Sequence, residues 1–103
     1  MPRITFWANK QDRFEVGKSY PTSYVQRTIE LNYSPLGDEV TITILGVMQP
    51  KHARIVSDIN NVLTYQDKDN PAFRYEVETN PLDNTIVRVS VKVGGMIEYR
   101  YTL

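Results

Sequence analysis

Val87, Val89, Val91 and Val93 alternate with Arg88, Ser90 and Lys92, and after Gly94-Gly95-Met96 the alternation resumes. Ile97, Tyr99, Tyr101 and Leu103 are then set against Glu98, Arg100 and Thr102. A period of two places every second side chain on one face of a β-strand. Gly-Gly between two such runs provides the positive φ angles of a tight hairpin turn. A two-residue loop would set Val91 opposite Glu98 and mix apolar with charged faces. A three-residue loop pairs Val93 with Ile97, Val91 with Tyr99 and Val89 with Tyr101, and places Lys92 opposite Glu98. The pattern selects that odd register, because a one-residue slip turns every side chain over.

The same period runs through most of the chain. Ile4, Phe6 and Ala8 alternate with Arg3, Thr5 and Trp7 as a first strand. Residues 9–12 read as a turn, and Phe14 and Val16 mark a second short strand closed by Gly17. Residues 17–22, with Pro21, read as loop. Val25, Ile29, Leu31 and Tyr33 share parity in a long third strand, and residues 34–38 carry the Pro and Gly of a turn. Val40, Ile42 and Ile44 form a fourth, β-branched strand.

Residues 49–66 are ambiguous. Ile55, Ile59, Val62 and Leu63 fit helical spacing, but Asn60-Asn61 and the β-branched content weaken a helix. Strands at 54–56 and 62–65 around a turn are the favoured reading. Beyond them, Asn70-Pro71 and Asn80-Pro81 bracket a strand with Phe73, Tyr75 and Val77 on one face.

Roughly seven to nine short strands between Pro, Gly and Asn turns predict an all-β chain, an antiparallel two-sheet sandwich of immunoglobulin-like type. An OB-like five-stranded barrel is the alternative, should 54–65 be its helix. Residues 1–103 read as a single domain, with neither linker nor repeat. The expected core has Val87, Val89, Val91, Ile97, Tyr99 and Tyr101 packing on Ile29, Leu31, Ile42 and Ile44.

Composition narrows the chemistry. The chain has no cysteine, so disulfide staples, cysteine-ligated zinc and thiol catalysis are excluded. Twelve Lys+Arg balance twelve Asp+Glu, which argues against a nucleic-acid partner bound by phosphate neutralisation. The same neutrality favours association with protein, whether a partner or a second copy. No apolar run is long enough to span a membrane, and Met1 to Trp7 has no signal-peptide character. The expectation is synthesis in the cytoplasm, with incorporation into a virion or another particle as one destination.

Candidate catalytic groups are few. His52 is the single histidine, in what reads as an exposed turn at residues 49–52, with no serine in a nucleophile-elbow context. Counting Asp67 as the first position of a calcium loop, Asp69 falls third and Glu78 twelfth. Pro71 and Ala72, however, stand where an oxygen ligand and a glycine are required. The plain reading is an Asx-rich turn. Glu76 and Glu78 alternate with Tyr75 and Val77 as the solvent side of a strand should, not as a glycosidase pair. No metal, cofactor or enzymatic activity is expected.

The aromatic residues point elsewhere. Trp7 has opposite parity to Ile4, Phe6 and Ala8, Tyr24 has opposite parity to Val25, Ile29 and Leu31, and Tyr20 lies in the Gly-Pro loop. Together they predict an exposed aromatic patch of the kind enriched at interfaces. The sequence thus describes a non-catalytic structural or assembly module that docks on a larger protein particle, for example a virion decoration or tail component. A carbohydrate- or receptor-binding module is the first alternative and an oligonucleotide-binding barrel the second.

Overall fold

The structure, a computed structural model, describes residues 3–103. They form ten strands: β1 (Arg3–Ala8), β2 (Lys10–Glu15), β3 (Lys18–Ser19), β4 (Arg27–Tyr33), β5 (Glu39–Ile44), β6 (Met48–Ile59), β7 (Val62–Asp67), β8 (Phe73–Thr79), β9 (Ile86–Val93) and β10 (Ile97–Thr102). No helix occurs among the described residues. All ten strands belong to one antiparallel sheet, in the order β1-β4-β5-β6-β7-β8-β9-β10-β2-β3.

The pairing does not divide into the two sheets of the expected immunoglobulin-like sandwich. From β4 to β10 every strand pairs with its neighbour in sequence, so short hairpins produce a meander in place of crossovers. The sheet curls instead of stacking. Its two ends meet because β1 and β2 are one chain segment, separated only by Asn9. The OB-like alternative falls with the 54–65 segment, which is the end of β6, a turn and the start of β7. Asn60 and Asn61 both take positive φ, 54° and 64°, in that turn. Asparagine tolerates this left-handed region better than most residues, and two in succession suit a tight hairpin turn.

The first strand departs most from expectation. Residues 9–12 are not a turn: β2 begins at Lys10 and pairs with β10. Lys10 is the register partner of Thr102, and the Asn9 amide also donates to the Thr102 carbonyl at 2.8 Å. Two residues therefore oppose one, which is a β-bulge. A bulge reverses the facing of everything after it. Phe6 and Ala8 lie in the core, whereas Phe14, of the same parity, is exposed.

The β9–β10 hairpin has the expected odd register, with Val93 opposite Ile97, Val91 opposite Tyr99 and Val89 opposite Tyr101. Val89, Val91 and Tyr101 are buried with Ile29, Leu31, Ile42 and Ile44, as expected. Ile97 and Tyr99 are only half-buried. Val87 is displaced from the core face. Glu78 pairs with Arg88 and Thr79 with Ile86, so Val87 falls in a second bulge and Ile86 packs on the core in its place. Outside the core, Lys92 links Glu76 at 2.9 Å and Glu98 at 3.9 Å, and Arg88 links Glu78 at 3.2 Å. These side chains cover Ser90, which is fully buried on the outer face of its strand.

Candidate functional site

The sites proposed for chemistry resolve first. His52 is not in a turn. It lies within β6, where its Nδ1 is 3.0 Å from the Thr41 hydroxyl on the neighbouring strand. Glu76 and Glu78 spend their carboxylates on Lys92 and Arg88. Asp67 closes the turn between β7 and β8: its carboxylate accepts from the Asp69 and Asn70 amides at 2.8 and 3.0 Å, and from the Tyr75 hydroxyl at 2.6 Å. Burial opposes its charge, but these hydrogen bonds, with Lys51 nearby, hold its carboxyl below the usual carboxylate range. Burial, reinforced by Asp67, pushes the Tyr75 hydroxyl up. This is a capped turn, and among the described residues no three His, Asp or Glu side chains converge as metal ligands.

The three aromatic candidates are all at least partly exposed, Trp7 at 66%, Tyr24 at 78% and Tyr20 at 36%. Tyr20 lies apart from Trp7. Tyr20 belongs to the far end of the N-terminal segment. There the Arg13 guanidinium sits 4.6 Å above its ring and 5.6 Å from that of Tyr99. Its hydroxyl approaches Glu15 at 3.4 Å. Trp7 and Arg13 are six residue steps apart along this extended segment, roughly 20 Å. Tyr24 follows Ser23, whose backbone exchanges hydrogen bonds with Gln11 at 2.8 and 2.9 Å. It touches neither of the other two through any aromatic pairing among the described residues.

What surrounds Trp7 is more specific. Among the described residues β1 pairs on one side with β4 and has no strand on the other. A groove of about 410 Å³ lies along this open side, lined by Ile4, Thr5, Phe6, Trp7, Asn84, Thr85, Ile86 and Leu103. No charged side chain is among these residues. Ile4 points to the core side of the sheet with Phe6, yet it is 42% exposed, because no strand covers it from the groove.

Two further surfaces were not marked in the sequence. Phe14, Val16 and Met96 are exposed together around a shallow hollow at the tip of the β9–β10 hairpin. Lys18, Lys92, Glu15 and Glu98 also line that hollow. At one mouth of the curled sheet, Ile44, Met48, Phe73, Val93 and Tyr99 border an apolar space of about 280 Å³. Its polar groups are the Gln11 amide and the hydroxyls of Tyr99 and Tyr101.

No family model, no curated protein and no solved structure matches this chain.

Proposed function

We propose that this chain is a non-catalytic assembly module that docks on a larger protein particle, such as a virion decoration or tail component, through the surface around Trp7. The observation that carries the reading is an indole two-thirds exposed on a strand, beside an uncharged groove and an exposed Ile4. Large aromatic side chains on rigid elements are the usual anchors of protein interfaces. The β1–β4 ladder, with Trp7 opposite Thr28, orders the backbone that carries the indole, so no loop has to be ordered when a partner covers it. Net neutrality agrees with association through apolar contact in place of charge steering.

Copurification from the native source, comparing wild type with Trp7→Ala, tests the reading. Loss of the partner at an unchanged melting temperature supports it, and retention of the partner refutes the assignment to Trp7. A carbohydrate-binding module is the second reading, favoured by the same exposed indole, on which a sugar ring can stack. Glycan binding that disappears in Trp7→Ala would select it.

A further inference from the structure

We propose that the apolar space at the mouth of the curled sheet, beside the β5–β6 turn, binds one small, uncharged aromatic molecule of one or two rings that carries a single N–H or O–H donor. This site is separate from the Trp7 surface and does not depend on the docking reading above.

Its walls come from distant parts of the sheet. Ile44 and Met48 stand on β5 and β6, and Val91, Tyr99 and Gln11 stand on β9, β10 and β2. β7 and β8 lie between these groups in strand order, so the space is held within the curl and is not a flat face. A concavity of this kind admits a small molecule, and the mouths of closed sheets are a common place for such sites. An apolar cavity of ~150 Å³ is enough for benzene. This one measures about 280 Å³, which is room for one or two rings.

The lining sets the chemistry of the occupant. Phe73, Tyr99 and Met48 offer ring edges and a thioether, which favour an aromatic ring over a flexible chain of equal volume. No Asp, Glu, Lys or Arg is among the lining residues, so a charged molecule would lose its hydration without a counter-ion. Arg13, next on the same face of β2, is spent on Glu15 at 2.7 Å. The polar end of the ligand is set by Gln11. Gln11 is the register partner of Tyr101 and faces the interior with that buried ring. Its backbone exchanges hydrogen bonds with Ser23 at 2.8 and 2.9 Å, so the strand that carries it is held on both sides. Its Oε1 is buried and has no hydrogen-bond partner among the described residues. An unpaired buried acceptor costs free energy, which a donor on the ligand recovers once the amide turns about its last torsion toward the space. The rim agrees. The β5–β6 turn is Leu45-Gly46-Val47, where turns usually carry polar residues. Leu45 and Val47 are both about half exposed, and Val47 itself lines the space, so an apolar molecule enters over an apolar lip.

The test titrates the whole chain, labelled with 13C in its methyl groups and with 15N, using indole as the probe. The Met48 and Val91 methyl signals and the Gln11 side-chain amide should move together and saturate below millimolar indole. 3-Methylindole and 1-methylindole are equal in size, but only the first keeps the ring N–H. The first should bind about tenfold or more tightly, because the second leaves the Gln11 carbonyl unpaired. Gln11→Leu should erase that difference. Val93→Phe, at the half-buried edge of the space, should fill it and abolish binding of both isomers. Four results would overturn the assignment: no saturable shift at millimolar indole, equal binding of the two isomers by the wild type, an unchanged preference in Gln11→Leu, or shifts centred on Ile4 and Trp7 instead of the mouth.

Discussion

The N-terminal segment holds two strands of equal length and opposite circumstances. β2 is paired on both sides, by β10 and by β3, and β1 is paired by β4 alone. On the outer face of β2, Phe14 is only partly screened, with the Arg100 guanidinium 4.3 Å above its ring. Glu15 bonds Arg13 at 2.7 Å and Lys18 at 3.0 Å. The outer face of β1 presents Trp7 to solvent. A single extra residue at Asn9 separates the two regimes. Being in a sheet does not fix how available a strand is; what counts is how many of its edges are already taken.

The largest test of this contrast uses its two phenylalanines. Phe6, at 5% exposure, lies before the bulge, and Phe14, at 44%, lies after it. Phe6→Ala should cost ~3–5 kcal/mol of stability in urea unfolding. Phe14→Ala should cost no more than ~1 kcal/mol, mostly its contact with Arg100. Equal losses would mean that the bulge does not reverse the strand.

Trp7→Ala should leave the urea midpoint nearly unchanged and weaken partner capture by ~2 kcal/mol or more, as loss of an interface anchor does. A collapse of stability would place the indole in the core. Acid then separates the halves further. Lys18 and Arg13 hold the Glu15 carboxyl below its ordinary range. Its contribution is therefore present above the unfolded-state value, ~4.3, and is lost as pH falls through the lower folded value. Amide protection factors in β2 and β3, taken relative to the intrinsic exchange rate at each pH, should fall on acidification toward pH ~3, and Glu15→Gln should remove most of that pH dependence. The smallest effect belongs to Arg100→Ala. It opens the cover over Phe14 and should lower stability by ~0.5–1 kcal/mol.

The β9–β10 hairpin was legible residue by residue because its faces differ so sharply that only one register keeps charge from apolar side chains. The facing of Trp7 was legible for the same reason. The bulge was not, since Asn9-Lys10 carries no glycine or proline to signal an inserted residue. Phe14 was therefore readable as a strand residue but not as an outward one. Asn60-Asn61 argued only against a helix, although the pair is itself a turn signal once positive φ is considered. Tyr20 and Tyr24 were grouped with Trp7 by exposure alone. Exposure says nothing of distance along a strand, and Tyr20 proves to be engaged by Arg13. The open β1 edge had no local signature.

That meeting of β10 with β2 has a consequence for the order of folding. Apart from the β1–β4 ladder, which joins Ala8 to Arg27, every other adjacent pair closes a loop within a hairpin, and those closures are local and fast. The β2–β10 ladder joins Gln11 to Tyr101, almost the whole length of the chain. Its loop-closure entropy is the largest in the molecule, so the meander forms first and the seam zips last. Weakening the seam should speed unfolding while leaving the folding rate almost untouched.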